Sequence, residues 1–227
     1  VFICTKGQWE MHWGFNPEPL RAEIGAGDIL TVPTWIYRGF KSMGPDDAFL
    51  FTALGRDDTG GILWGPWTLD AARAQGVHLT EDYRIIDEQL GQTWGEGDKR
   101  LQPMTRQEID ALRKWTPEQM AQRVVRYADL QWSGDALLDS CLPGCGGAMA
   151  PVIGLGMSQD RNHLAPVYNA HGFSIEWLHL PAGGSMSRHN LEDKQVLVVY
   201  EGQLAVDIEG CDAPTTIAAH GSAEGWD

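Results

Sequence analysis

The stretch Gly25-Ala26-Gly27-Asp28-Ile29-Leu30-Thr31-Val32-Pro33-Thr34-Trp35-Ile36-Tyr37-Arg38-Gly39-Phe40 decides the fold class. Gly25 to Asp28 carries turn chemistry: glycines that tolerate positive φ, and an aspartate whose side chain can bond nearby backbone. Ile29 to Val32 is a run of strand formers. Pro33 has no N–H to give to a ladder and closes the run. Trp35-Ile36-Tyr37 then begins a second apolar stretch. Short strands punctuated by Gly, Pro and Asp at this density argue for a sandwich or barrel rather than βαβ units.

Reading outward towards the N-terminus, Phe2, Cys4, Trp9, Met11 and Trp13 alternate with polar residues. This predicts two strands parted near Lys6-Gly7, a hairpin-like start. A further strand is expected over Ala48–Leu54. The middle of the chain differs. Thr105-Arg-Gln-Glu108 and Thr116-Pro-Glu-Gln119 both have capping-box form, in which a hydroxyl accepts an orphan N–H and the later side chain reaches back. They predict helices over 106–114 and 117–128, the second with Pro117 at its first position. A weaker helix over Leu69–Gln75 ends at Gly76, and residues 80–104 read as an extended connection. After Gly144-Cys-Gly-Gly147 strands resume at Phe173–Leu180 and Val196–Tyr200. The order is therefore β, helical, β, in segments 1–66, 67–149 and 150–227.

Composition removes several function classes. The 227 residues include 17 Lys plus Arg against 31 Asp plus Glu, a net charge of −14 and a pI near 4.8. Such a surface repels phosphate backbones and anionic headgroups, so neither nucleic acid nor membrane is an expected partner. No stretch approaches the roughly 20 apolar residues of a membrane span, and Val1-Phe-Ile-Cys-Thr-Lys-Gly7 lacks a signal peptide's pattern. Four cysteines are too few for a disulfide scaffold, and Cys141 and Cys145 are spaced C-x3-C, so a cytoplasmic address is expected. No G-x-S-x-G or G-x-G-x-x-G element sits at a strand-to-helix turn, which sets aside serine hydrolase and nucleotide-binding chemistry.

The two ends of the chain match each other. Val1, Gly7 and Gln8 correspond to Val196, Gly202 and Gln203 at a constant offset, 202 − 7 = 195. The run Pro181-Ala-Gly-Gly-Ser-Met-Ser-Arg-His189 through Gln195 to Gly202 resembles the first motif of the cupin family. Gly27-Asp28-Ile-Leu-Thr-Val-Pro33 through Arg38 resembles the second. The resemblance implies antiparallel jelly-roll β-barrels, two repeats (a bicupin) joined by the helical segment, with residues 1–66 and 150–227 each part of one barrel. The motifs occur in an unusual order, which fits strands lying outside these residues at both ends, or one barrel in permuted order.

Cupin enzymes hold Fe, Mn, Ni or Zn through two His and a Glu of the first motif and a His of the second. Counted along the motifs, those positions fall here on Arg188, Asn190, Gln195 and Arg38, with His189 displaced by one. Guanidinium cannot ligate a metal, so the resemblance implies a pocket without the standard ligands and, in first place, no cofactor. The expected function is binding of a small organic molecule, anionic or aromatic, with Arg38 as charge partner and Asn190 and Gln195 as hydrogen-bonding groups. Trp9, His12 and Tyr37 are candidate lining residues, and ten Trp fit an aromatic cavity.

Alternatives accompany each residue. Arg38 could instead form a structural ion pair with Asp28 or Asp46. His12 and its tryptophan neighbours could belong to the core. His189 could be a metal ligand re-aimed by a bulge, which would suit the alternative function, a metal-dependent bicupin dioxygenase using iron or another divalent metal on an aromatic or small organic acid. Alternation places Glu176 opposite His171 and His179, so these three form no triad. The family analogy also implies a homodimer, with Phe2, Trp9 and Trp13 as interface material.

Overall fold

The computed structural model describes residues 1–15, 20–55, 61–168, 172–211 and 213–219. In chain order the elements are β1 (Phe2–Lys6), β2 (Gln8–Trp13), β3 (Leu20–Gly25), β4 (Ile29–Leu30), β5 (Arg38–Ser42), β6 (Phe49–Thr52), α1 (Pro66–Ala74), β7 (Val77–Leu79) and β8 (Ile85–Asp87). Then follow α2 (Arg106–Ala111), α3 (Pro117–Ala121), β9 (Val124–Val125), β10 (Ala148–Ile153), β11 (Ile175–His179), β12 (Gln203–Val206) and β13 (Thr215–Ala218). The protein is mainly β, every strand pair is antiparallel, and among the described residues no sheet closes into a barrel.

One sheet, in the order β6-β1-β4-β9, is the central layer. Its apolar residues alternate between two faces, as period-two geometry requires. Phe2, Cys4 and Leu30 pack with Met11, Trp13 and Ile24 of the β3-β2-β5 sheet, and α3 closes this core with Met120. Val1, Ile29 and Val125 pack on the other side against Ala150, Val152 and Ile153 of β10, with Ile175 and Trp177 of β11 at the margin. Cover on both faces explains why Ile3, between Phe2 and Cys4, is apolar as well and why Ile29 and Leu30 are both apolar.

The hydrophobic patterning located most elements, and the differences have physical causes. β1 and β2 do not form a hairpin with each other: β1 pairs with β4 and β6, and β2 with β3 and β5. The chain changes sheet at Gly7, where φ is 84° and a Cβ would lie 2.5 Å from the Cβ of Ala48. Both capping boxes form, but the second helix ends at Ala121 instead of running to 128. Val124 and Val125 enter the central sheet opposite Leu30 and Ile29, and burial in two cores overrides the helical spacing. Residues 80–104 are not one extended connection, since β7 and β8 pair as Val77↔Asp87 through Leu79↔Ile85 and Glu88–Leu90 makes a 3₁₀ turn. Val196–Tyr200 is not a strand, and Val196 is 80% exposed with no ladder partner among the described residues. β1 is not an edge, and Phe2 and Trp13 are core residues, so neither is available to a dimer contact. Among the described residues no helix is long and apolar enough to cross a membrane.

Candidate functional site

Register fixes which of the sequence-predicted residues can meet. Arg38 lies opposite Trp13, so it shares the inner face of the β3-β2-β5 sheet with Trp13, Met11 and Trp9, while His12 lies opposite Gly39 on the other face. Trp9 packs edge-on to Phe40, with centroids 5.9 Å apart, and donates its indole N–H to the carbonyl of Lys6 at 3.4 Å. It is a core-margin residue. His12 stands 3.4 Å from Glu10, which also pairs with Arg21 at 3.2 Å. The His12 contact is within ion-pair reach, but Nε2 makes no aligned hydrogen bond, so the attraction is a loose electrostatic one.

The Arg38 guanidinium donates to the carbonyl of Ile36 at 3.3 Å, and partial desolvation lowers its pKa from the ordinary arginine value. The ion pair considered with Asp28 or Asp46 is absent among the described residues, because Asp28 has other partners. Its carboxylate accepts from Gly25 N at 2.9 Å, Tyr127 N at 3.0 Å and Arg126 Nη1 at 2.6 Å.

Tyr37 stands at the centre of the strongest candidate site. Its ring, Phe15 and Trp67 form a triangle with centroid distances of 5.6, 4.9 and 5.6 Å, and the Arg106 guanidinium lies 5.5 Å from the Phe15 ring. The Tyr37 hydroxyl is buried and has no hydrogen-bond partner among the described residues. Burial, and secondarily the charge of Glu108, raise its pKa above the ordinary phenol value. Glu108 also borders a hollow of about 370 Å³ walled by Leu63, Trp64, Leu69, Leu101 and Met104. It accepts from the backbone N–H and hydroxyl of Thr105 at 2.7 and 2.8 Å, which holds its carboxyl below the usual range. The capping box thus fixes the position of Glu108, the one carboxylate in that wall among the described residues.

The C-terminal candidates lie apart from this group. His189 Nδ1 is 3.0 Å from the carbonyl of Ser187, Asn190 is exposed, and Gln195 donates to Met157 Sδ at 3.2 Å. No hydrogen bond or ion pair among the described residues joins them to Arg38 or Tyr37. The described residues hold no group of three His, Cys, Asp or Glu side chains suited to a metal. Glu176 is half-buried opposite Pro151, and desolvation raises its pKa, while His179 is exposed and His171 lies outside the described residues.

Phe15, Trp67 and Glu108 were not singled out by sequence reasoning. Glu108 was visible only as the closing residue of a capping box, and Trp67 follows Pro66 at a helix start, where an aromatic residue reads as ordinary packing. Comparison with known proteins adds no relative: no family model, curated protein or solved structure matches this chain.

Proposed function

We propose that this protein binds a small organic molecule, aromatic or anionic, in the hollow between residues 63–69 and 101–108. The observation that carries the reading is the Tyr37 hydroxyl, buried without a partner beside Phe15, Trp67 and Glu108. A buried polar group left unpaired costs about 1–3 kcal/mol, which a ligand able to bond it recovers. Glu108 links this aromatic cluster to the hollow, whose own wall combines Trp64 and the aliphatic Leu63, Leu69, Leu101 and Met104 with Gln102 and Thr105, and whose volume of about 370 Å³ is in the range of small-molecule sites. Arg106, paired with Asp110 at 2.9 Å and 5.5 Å from the Phe15 ring, and Arg38, next to Tyr37 in the chain, are the cations an anionic ligand would use, and the reading invokes no metal.

The proposal extends to family and architecture: a cupin-like protein whose segments 1–66 and 150–227 belong to two jelly-roll repeats joined by 67–149. Antiparallel pairing in both outer segments supports it, as does the Gly27-Asp28 turn with its buried, fully bonded carboxylate. The decisive experiment is a thermal-shift and fluorescence titration of the whole chain with a panel of aromatic and aliphatic acids, repeated on Tyr37→Phe. A saturable ligand whose affinity falls about tenfold in the variant is the expected result. An affinity unchanged by Tyr37→Phe, or no stabilisation by any panel member, rejects the site.

A further inference from the structure

We infer a second ligand site, for a small apolar organic anion such as an aryl or branched-alkyl carboxylate, in the pocket between α1 and the β7–β8 hairpin. This pocket, about 210 Å³, lies across the wall of Trp64, Leu69 and Leu101, which border both hollows. It does not depend on the function proposed above, because its polar groups are different ones.

Charge is the first argument. The chain carries 31 acidic residues against 17 basic ones, yet this lining holds Arg73, Arg100 and His78 and no carboxylate among the described residues. Arg73 has a loose partner, Asp70 at 3.4 Å on its own helix. Arg100 has no carboxylate within ion-pair distance among the described residues, and its guanidinium lies 5.1 Å from the Trp94 ring. In an acidic protein an arginine with no acidic partner is an available anion partner, and its planar fork matches a carboxylate.

Buried polar capacity is the second argument. The His78 side chain is only 6% exposed, with Nε2 3.0 Å from Glu88 Oε1. An ionised carboxylate only accepts, so Nε2 carries the proton of that bond. His78 Nδ1, left an acceptor by that tautomer, and the Arg100 Nε–H donor are both shut from solvent without a partner among the described residues, and it is the Arg100 donor that an anion can bond. Trp94 packs on both residues, with its ring centroid 5.4 Å from that of His78. It is half-buried on a segment without helix or strand. Apart from Thr68 the rest of the wall is apolar, through Leu69, Val77, Leu79 and Ile85 among others, which selects a hydrocarbon body over a sugar or inorganic ion.

The test is a calorimetric titration of the full chain with benzoate and with benzamide, which share shape and differ in charge. Benzoate is expected to bind at least about tenfold more tightly, since charge-assisted bonds are the stronger class. Arg100→Gln should reduce benzoate to the level of benzamide, and Arg100→Lys should restore part of the difference in a variant of the same charge. Equal binding of the two probes, or none at millimolar concentration, overturns the inference. So does a benzoate affinity that follows Tyr37→Phe and ignores Arg100→Gln, which would place the ligand in the first hollow.

Discussion

Asp28→Ala should be among the most damaging polar substitutions in this protein. Asp28 is 8% exposed, and its carboxylate joins the 25–28 turn to residues 126–127: it accepts from Gly25 N, from Tyr127 N and from Arg126. Alanine leaves two backbone N–H groups without their acceptor, at about 1–3 kcal/mol each. The Arg126 side chain is 46% exposed, so solvent screens its pair with Asp28 and its share is about 0–1 kcal/mol. The sum is about 2–7 kcal/mol, carried mainly by the backbone donors. In urea denaturation followed by tryptophan fluorescence, a slope of about 2–3 kcal/mol/M converts this to a midpoint shift of about 0.7–3.5 M. Arg126→Met should cost only about 1 kcal/mol, because it removes the screened pair and an exposed bond to the Glu23 carbonyl but leaves both backbone donors with their acceptor. A midpoint shift below about 0.3 M for Asp28→Ala would refute the reasoning, and equal costs for the two variants would move the weight to the ion pair.

Three further outcomes are expected. Gly27→Ala should destabilise by at least about 2 kcal/mol in the same assay, because φ is 88° and the new Cβ would sit 2.6 Å from Tyr127 Cγ; a change within about 0.5 kcal/mol would contradict this. Cys4 is fully buried and its thiol is pushed up to about 11 by desolvation and then by Asp28, so a disulfide reagent should titrate exposed Cys141 and Cys211 in the native protein and Cys4 only after denaturation. Glu176 has a raised pKa in the folded state, so the folded form holds its proton over a pH range in which the unfolded form has lost it. Stability attributable to this residue should fall as pH rises from its ordinary value of 4.5 through the folded value, then level off, and Glu176→Gln should abolish that fall; parallel stability–pH curves for the two proteins would exclude it.

The sequence by itself determined the local elements. The 25–28 turn, the two capping boxes at Thr105 and Thr116, and most of the short strands were legible because turn chemistry, caps and period-two alternation act within a few residues. Tertiary structure alone decided the partners of those elements. Val124 and Val125 are strand because Ile29 and Leu30 lie alongside them, and the separation of β1 from β2 depends on a sheet change at Gly7 with Ala48 packed against it. The candidate sites show the same division. Tyr37 could be nominated as an aromatic residue in a strand-rich segment, but Phe15, Trp67 and Glu108 reach it only through folding. Nothing in the spacing of His78 and Arg100 sets them in one pocket, because long-range placement depends on buried area and the satisfaction of polar groups across the whole chain.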